Sequence, residues 1–388
     1  MSDRTRREAM LAIAVGLAGA PAVLRGRYEL FAQSSAQYSA RAVRLVESSV
    51  VVDLLNQFQR RDFAVKPPKI EQWLSQPGTF TAEDAARYQG SGITVFSLGS
   101  GPGSYEDAVL FYARWNGFLA AYSDWFTRID DTTDFARAKA QKKVGVMLTC
   151  QTPPFRSPDD VRVFFGLGQR IAQLTYNFNN RIGSGFLEER DGGLSVFGLS
   201  IMQRMQQVGM AVDVSHCGDQ TTLDALDTAT KPVIFTHATA RALVPGHLRC
   251  KTDEAIRKMA KSGGVMGIAM IRFMVRNSEP VTIEHVLDHV DYVAKLVGVE
   301  HVAIGSDLDV VGNPGEVNGG FDPRTQPNVS RYQYHDDPDG AITIKGLNHS
   351  KRVFDLTEGL IRRGYTDAQI AQILGGNAVR VLGTIWPA

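Results

Sequence analysis

The sequence is poor in cysteine: its 388 residues include only Cys150, Cys217 and Cys250, and none of these forms a CxxC pair. A disulfide framework needs several paired cysteines, and a cysteine-rich zinc site needs closely spaced thiols. Both are therefore excluded. The fold has to be stabilised by a large hydrophobic core.

An excess of charge of one sign is also absent. The chain carries 42 Lys and Arg against 41 Asp and Glu, a net charge of +1. Without a strong overall field, nothing draws the whole protein to nucleic acid or anionic lipid, so we expect no nucleic-acid partner. The hydrophobic content of 44% is that of a globular protein and excludes disorder for the bulk of the chain.

The uncharged apolar run at the N-terminus, residues 9–24, is shorter than the roughly 20 residues that a transmembrane helix needs. It follows Arg4, Arg6 and Arg7, and the arrangement resembles a twin-arginine export signal. We therefore predict that residues 1–35 are an export signal and that the protein is periplasmic or membrane-associated in a bacterium. An uncleaved membrane anchor and an ordinary N-terminal helix are the alternatives.

Short β-branched segments alternate with longer amphipathic stretches from about residue 40 onward. This alternation is typical of α/β proteins, and eight strands are what a (β/α)8 TIM barrel needs. We predict a single barrel domain over residues 40–388. Its strands are expected at residues 48–53, 93–97, 144–150, 171–176, 210–215, 232–236, 264–269 and 301–306.

A long segment rich in Gly, Pro, Asn and Asp, residues 311–348, follows the last predicted strand. Loops of that length tend to be lids or binding loops, so we expect this one to adjoin the functional site. C-terminal helices are predicted over residues 351–363 and 366–374. Earlier helices are predicted over residues 106–121, 158–170, 195–208, 253–261 and 283–296.

Three predicted strands lead directly into side chains that bind metals. His216 follows the fifth strand, His237 the sixth and Asp307 the eighth. The carboxyl ends of barrel strands meet on one face, where barrel enzymes carry their active sites. Two neutral imidazoles and a carboxylate around an open position suit a catalytic Zn²⁺ or a similar ion. A histidine at a strand end can alternatively be a buried structural residue.

Arg241 comes shortly after His237 and is expected to face the same end of the barrel. A guanidinium there would hold a substrate carboxylate through two parallel hydrogen bonds. A surface salt bridge is the alternative interpretation of this arginine.

Several motifs resemble those of one family, the membrane (renal-type) dipeptidases, which are zinc-dependent barrels of the amidohydrolase kind. The fifth, sixth and eighth strands with their following residues, 213–226, 231–243 and 301–309, look like that family's motifs in order and spacing. Residues 174–180 and 373–382 also fit. The resemblance extends from about residue 40 to residue 382.

The resemblance implies a binuclear zinc hydrolase that cleaves dipeptides, with dimers common in the family. His216 and His237 match the two histidines of one metal, and Asp307 matches the aspartate at the other. Arg241 matches the arginine that holds the substrate carboxylate.

The chain departs from the family pattern at the first metal. The family's first-strand motif, Asp-Gly-His-Asn-Asp, aligns with Asp53-Leu54-Leu55-Asn56-Gln57, which lacks the ligating His and second Asp. The glutamate that bridges both metals aligns with Gln151, and the substrate-contacting histidine of the fourth strand aligns with Tyr176. Leucine cannot coordinate a metal, and a neutral amide cannot supply the anionic bridge.

These departures predict one metal ion instead of two, because two Zn²⁺ ions bring four positive charges and Asp307 is the single matched carboxylate. We expect one Zn²⁺ on His216, His237 and Asp307, or Asp307 as the group that moves the proton. Tyr176 would contact the substrate and donate a hydrogen bond to the developing oxyanion. The weaker ligand candidates are Asp53, Gln57, Gln151 and Asp309.

Three functions stay open at this stage. The first is an exported hydrolase of a dipeptide or similar small amide that works with one metal. The second is a non-catalytic barrel in which Arg241 and Tyr176 bind a carboxylated ligand. The third is a hydrolase of another substrate, such as a lactone or an N-acyl amino acid.

Overall fold

The computed structural model describes residues 27–29, 37–58, 69–99, 102–310, 344 and 346–387. The predicted export signal therefore lies outside the described residues except for residues 27–29. Most of the predicted loop over residues 311–348 lies outside them as well. No helix within the described ranges is both long and apolar enough to span a bilayer.

Eight parallel strands close into a barrel, which confirms the predicted (β/α)8 architecture. The strands of the described residues are β1 (Arg27–Glu29), β2 (Gln37–Ser39), β3 (Val52–Asn56), β4 (Val95–Leu98), β5 (Phe126–Arg128), β6 (Val144–Cys150), β7 (Gln169–Gln173), β8 (Ala211–Asp213), β9 (Val233–Ala238), β10 (Met266–Ile268) and β11 (Val302–Ile304). The ring order is β3, β4, β6, β7, β8, β9, β10 and β11, and β11 pairs with β3. Strand β5 lies outside the ring and pairs with β6, while β1 and β2 form a separate antiparallel pair.

Helices surround the ring. In chain order they are α1 (Ala40–Ser48), α2 (Lys69–Ser75), α3 (Ala82–Gln89), α4 (Tyr105–Ala121), α5 (Thr132–Ala140), α6 (Pro158–Gly166), α7 (Val196–Val208), α8 (Asp219–Thr228), α9 (Asp253–Lys261), α10 (Arg272–Val275), α11 (Ile283–Val297), α12 (Arg352–Arg362), α13 (Asp367–Ala371) and α14 (Asn377–Ile385). Side-chain caps begin many of them. Ser195, for example, accepts a hydrogen bond from the backbone N–H of Gly198 at the start of α7.

Two predicted boundaries are wrong for local reasons. The predicted first strand over residues 48–53 overlaps the end of α1, and β3 begins only at Val52. The predicted helix over residues 158–170 stops at Gly166, because Gly168 adopts a φ of 101° and β7 begins at the next residue. A left-handed glycine is a common end point of a helix.

The interior of the barrel is apolar at the amino ends of the strands. Each of the eight ring strands, or the residue directly before it, contributes at least one buried apolar residue to a cluster there, which also includes residues of α5 and α14. The strand residues, with Val265 directly before β10, are Val52, Leu54, Val95, Met147, Ile171, Ala211, Ile234, Val265 and Ala303. The helix α14 contributes Val381 and Leu382 to the same cluster. This end of the barrel is therefore filled, and the opposite end is left for polar side chains.

Close packing of β9 against β11 requires glycine at position 305. A Cβ atom added to Gly305 would lie 1.8 Å from the carbonyl oxygen of Thr236, a backbone atom that cannot rotate away. We expect Gly305→Ala to lower the free energy of unfolding by about 3 kcal/mol or more. Chemical denaturation with Gly117→Ala as the control measures this effect. Position 117 in α4 has open space around a Cβ atom, so that variant should gain about 0.5–1 kcal/mol.

Arg352, the first residue of α12, holds the two flanks of the long segment together. Its wholly buried guanidinium donates hydrogen bonds to the carbonyl oxygens of Asp309 and Leu347. Burial lowers the pKa of Arg352 to about 10. The chain thus leaves and returns beside the carboxyl end of β11.

Candidate active site

The polar end of the barrel is organised by a buried carboxylate between β8 and β9. Asp213 accepts hydrogen bonds from the backbone N–H groups of Ser215 and Thr236, and from the Thr236 hydroxyl at 2.6 Å. Because the ends of β8 and β9 are both hydrogen-bonded to the Asp213 carboxylate, the next residues at those strand ends have fixed positions. His216 and His237 are those residues.

The two histidines meet at the polar end. Their Nε2 atoms lie 2.9 Å apart, and the side chains are 7% and 0% exposed. His216 Nδ1 lies 2.7 Å from Asn177 Oδ1, and His237 Nδ1 lies 2.8 Å from the Thr236 hydroxyl oxygen. The Thr236 hydroxyl hydrogen goes to Asp213, so both Nδ1 atoms donate. Each Nε2 atom consequently presents a lone pair to the other.

Two predicted residues surround this pair. Gln151 Nε2 lies 3.3 Å from His237 Nε2, so the amide donates toward the imidazole and offers no negative charge. The ring of Tyr176 stacks on His216 with centroids 4.3 Å apart. The structure therefore brings Gln151 and Tyr176 to the histidines, as the sequence predicts.

Asp307 is held on the neighbouring side of the barrel by Gln57. The Gln57 Nε2 atom donates to Asp307 Oδ1, and the Asp307 backbone N–H donates to the Leu55 carbonyl at 2.9 Å. Asp307 adopts a φ of 58°, an uncommon left-handed conformation that costs energy and occurs often at functional sites. The carboxylate is thus oriented by an amide that occupies the position of a metal ligand in the family.

The predicted three-residue ligand set is not assembled. In the part of the chain that the structure describes, no three His, Cys, Asp or Glu side chains form a group that could hold a metal ion. His216 and His237 form a pair, and Asp307 is bonded to Gln57 instead of completing it. The two roles predicted for Asp307, as a ligand and as the group that moves a proton, both stay predictions.

Asp53, one of the weaker ligand candidates, is a buried carboxylate that bonds within the strand ends. It accepts hydrogen bonds from the backbone and hydroxyl of Ser306 and from Asn56 Nδ2. Burial raises the pKa of Asp53. Asp53 thereby joins β3 to the end of β11. Asp309 is buried beside Arg352, which binds the Asp309 carbonyl.

Arg241 is also placed differently from the prediction. Its Nη1 and Nη2 atoms donate to the two carboxylate oxygens of Asp219 at 2.6 and 2.7 Å, and its Nε donates to the Cys250 carbonyl at 2.9 Å. With one to the Leu248 carbonyl, these bonds use four of the five N–H donors of the guanidinium. The alternative interpretation of Arg241, a salt bridge, is what the structure shows.

Sequence reasoning missed Arg249. This guanidinium is 2% exposed and donates to the carbonyl oxygens of Ser215 and His237, the latter at 2.8 Å. Burial lowers the pKa of Arg249, while the nearby charges of Asp307 and Asp213 raise it. Arg249 is therefore the cation that lies against both histidine-bearing strand ends. Arg249 does not directly follow a strand, so its position in the sequence gives no sign that it lies near the carboxyl ends of the strands.

The spacing of the two histidines is compatible with one metal ion shared between them. Zinc–nitrogen bonds of about 2.0–2.1 Å in tetrahedral geometry place two nitrogens roughly 3.3 Å apart, close to the 2.9 Å between the Nε2 atoms. Ligating histidines usually donate a hydrogen bond from the other ring nitrogen, as the two Nδ1 atoms do here to the Asn177 amide oxygen and the Thr236 hydroxyl oxygen. A second ion would find Leu55, Gln57 and Gln151 where anionic or imidazole ligands are needed.

Comparison with known proteins gives a consistent result. The family model described as Membrane dipeptidase (Peptidase family M19) matches residues 112–329 and 335–386. Dipeptidase tcpJ of Claviceps purpurea is 31% identical over 225 residues, 57% of this chain and 46% of that protein. Dipeptidase verJ of Clonostachys rogersoniana is 32% identical over 231 residues, 59% of this chain and 52% of that protein. The chain thus spans about half the length of the curated relatives it matches.

Solved structures show the same fold. An amidohydrolase from Pseudomonas aeruginosa superposes with a TM-score of 0.72 at 27% identity, covering 89% of this chain and 99% of that one. A metallopeptidase from Rhodobacter sphaeroides, solved with a phosphinate mimic of the dipeptide L-Ala-D-Ala, has a TM-score of 0.68 at 18% identity, covering 87% and 100% of the two chains. The second likeness concerns the fold alone.

Proposed function

The chain belongs to the membrane dipeptidase family of metal-dependent peptidases, peptidase family M19, and from this premise we propose that it hydrolyses a dipeptide or similar small amide with one metal ion on His216 and His237. The observation that carries the proposal is the convergence of the two Nε2 lone pairs at 2.9 Å. Lone pairs held that close repel each other unless a cation lies near both. Zn²⁺ is the ion that the chemistry of the donors favours.

Arg249 supplies the recognition of the substrate's carboxylate end. Its charge lies against the carbonyls of Ser215 and His237, so it offers a positive partner to an anionic group that approaches the histidines. A buried guanidinium acts in a low-dielectric setting, where its attraction for a carboxylate is stronger than in water. The amide bond of the substrate is then placed over the two imidazoles.

The metal ion, when bound, polarises the scissile carbonyl and lowers the pKa of water at the site. The Asp307 carboxylate takes the proton of the attacking water as the new C–O bond forms. It returns that proton to the leaving nitrogen as the C–N bond breaks, which yields a carboxylic acid and an amine that ionise to a carboxylate and an ammonium group. Gln57 keeps Asp307 oriented for both transfers.

Tyr176 stabilises the oxyanion that develops on the carbonyl. Its ring is fixed by stacking on His216, so its hydroxyl needs little reorganisation during the reaction. A donor of this kind contributes about 3 kcal/mol to transition-state stabilisation. We propose this role because the phenol lies beside the imidazole that holds the ion.

A non-catalytic ligand-binding barrel is the second candidate function. The neutral side chains at positions 55, 57 and 151 favour it, because they remove the anionic ligands of a strongly bound metal. In that case Arg249 and Tyr176 would bind a carboxylated ligand without chemistry. Hydrolysis of a lactone or another small amide is a further alternative. Measuring turnover of lactones, N-acyl amino acids and dipeptides side by side distinguishes it from dipeptide hydrolysis.

We also propose that the protein is exported, so that it acts in the periplasm or at the membrane of a bacterium. The arginine-rich start and apolar run of residues 1–35 support this location. A dipeptide-like substrate would then be met outside the cytoplasm.

Metal content measured by elemental analysis tests the proposed function. We expect about one Zn²⁺ per wild-type chain, with dipeptide turnover that chelator abolishes and Zn²⁺ restores. Gln151→Glu is the matched variant, because it places a carboxylate beside His237 and should hold zinc at least about tenfold more tightly. Turnover that survives complete removal of metal would contradict the proposal. Absence of metal and turnover, with ligand binding that resists chelator, would establish the ligand-binding barrel.

A further inference from the structure

A pocket of about 300 Å³ lies between α2 and α4, over the carboxyl ends of β3 and β4. Its floor is apolar and buried, since Phe58, Leu98 and Trp115 are at most 2% exposed. Ile70, Leu74, Leu110 and Phe111 complete the apolar walls. A concave apolar site of this size is large enough for a small organic group.

The charged residues of the pocket lie at its solvent side. Arg114 and Glu71 form a pair at 3.7 Å whose side chains are 50% and 55% exposed. Asp107 is exposed as well. A charged group bound on the apolar floor would therefore lose its water without gaining a buried partner. The floor suits an uncharged apolar group.

Gln57 connects the pocket to the proposed active site. It lines the pocket, and its Nε2 atom donates to Asp307. Glycine at position 99 makes this placement possible, because a Cβ atom there would lie 2.9 Å from the Gln57 amide nitrogen. A group bound in the pocket would thus contact the Gln57 amide, which orients the Asp307 carboxylate.

The ring order places the pocket across the barrel from Arg249. The pocket adjoins β3 and β4, whereas Arg249 binds residues at the ends of β8 and β9, four positions around the eight-strand ring. A substrate whose carboxylate lies at Arg249 therefore extends past the histidines toward the pocket. Its acyl side is the part that reaches β3 and β4.

We propose that this pocket binds an extended apolar group on the acyl side of the scissile amide, so that the substrate is a carboxylate-bearing amide with a large apolar acyl part. The inference rests on the proposed function and specifies its substrate class. A medium-length fatty acyl chain or a large apolar N-terminal residue of a dipeptide would supply that group.

Hydrolysis of a matched series tests the pocket. N-acetylglycine and N-octanoylglycine differ by six methylenes, and each buried methylene contributes about fourfold in affinity. We expect kcat/KM to be at least about 100-fold higher for the octanoyl compound. The ratio of kcat/KM for phenylalanylglycine to that for glycylglycine tests whether the apolar group can instead be the N-terminal side chain of a dipeptide. Equal kcat/KM values within both pairs would overturn the proposal.

Two exposed apolar residues allow a matched pair of variants. Leu110 in α4 lines the pocket and is 54% exposed, while Val163 in α6 lies outside it and is 45% exposed. Leu110→Trp narrows the pocket and should lower the octanoyl-to-acetyl ratio about tenfold. Val163→Trp should leave that ratio unchanged. Leu74→Trp, on the opposite wall in α2, is a second occluding variant.

Equilibrium binding separates a failure of the pocket from a failure of the proposed function. The ketone isosteres of the two acylglycines, 4-oxoundecanoic acid and levulinic acid, cannot be hydrolysed. We expect calorimetry on the purified protein to show at least about 100-fold tighter binding of the longer acid, weakened by Leu110→Trp. Such binding without any amide turnover would refute the hydrolase and retain the pocket. Turnover with equal binding of the two acids would retain the hydrolase and refute the pocket.

Discussion

Replacing His216 with alanine should remove the metal ion and reduce amide turnover by about a thousandfold or more. The variant leaves His237 as a single imidazole, which cannot hold Zn²⁺ against water because catalytic zinc sites use several protein ligands. Elemental analysis and kcat/KM on the same preparation measure both losses. His216 is packed under Tyr176, so a thermal melt is needed to show that the barrel still folds.

His349→Ala is the matched control for this experiment. Its imidazole binds the Gly346 carbonyl at 2.9 Å near the start of α12 and takes no part in the histidine pair. The control should therefore keep wild-type metal content and turnover. A His216→Ala protein that retained one zinc per chain and normal kcat/KM would show that the histidine pair is structural.

Replacing Arg249 with methionine should lower kcat/KM for carboxylated substrates by more than about 100-fold, mainly through KM. The variant removes the charge that attracts the carboxylate, and a charge-assisted bidentate contact is among the strongest that a protein makes. A substrate whose carboxylate is capped as an amide should lose far less, which separates recognition from misfolding. Arg249→Lys, which keeps the charge, should recover part of the activity.

The same variant should also lower the free energy of unfolding by about 2–4 kcal/mol. The carbonyl oxygens of Ser215 and His237 lose their buried donor, and unsatisfied buried groups are costly. Arg241→Met is the comparator, because Arg241 is paired with Asp219. If Arg241→Met showed the larger loss of kcat/KM, the assignment of carboxylate recognition to Arg249 would be wrong.

The ring of eight strands could be predicted because strand alternation is a local property of the sequence. Each strand carries its own β-branched pattern, and each is separated from the next by a helix-length segment. The boundaries were less accurate where one residue decides them. Gly168 ended α6 early through its left-handed backbone, and the sequence pattern around it is apolar on both sides. Strand β5 was missed because its three residues, Phe126–Arg128, contain a single large apolar side chain and no run of β-branched apolar residues.

The histidine pair could be predicted for a related reason. Parallel strands place their carboxyl ends on one face, so residues at the carboxyl ends of β8 and β9 come together in any barrel of this kind. The position of the Asp307 carboxylate depends on a contact that could not be predicted in this way. Gln57 is far from Asp307 in sequence, and no local pattern encodes the hydrogen bond that its amide donates to the Asp307 carboxylate.

The sequence by itself determined the barrel and the meeting of His216 with His237, because these follow from periodicity and from the geometry of parallel strands. The place of Tyr176 beside them was implied by the resemblance to a known family. Only the tertiary structure decided how the two arginines are held, because Arg241 and Arg249 differ in their distant partners and not in their local motif. It alone decided the pocket between α2 and α4. Contacts between residues that are distant in sequence form only when the chain folds, so the sequence around each residue does not specify them.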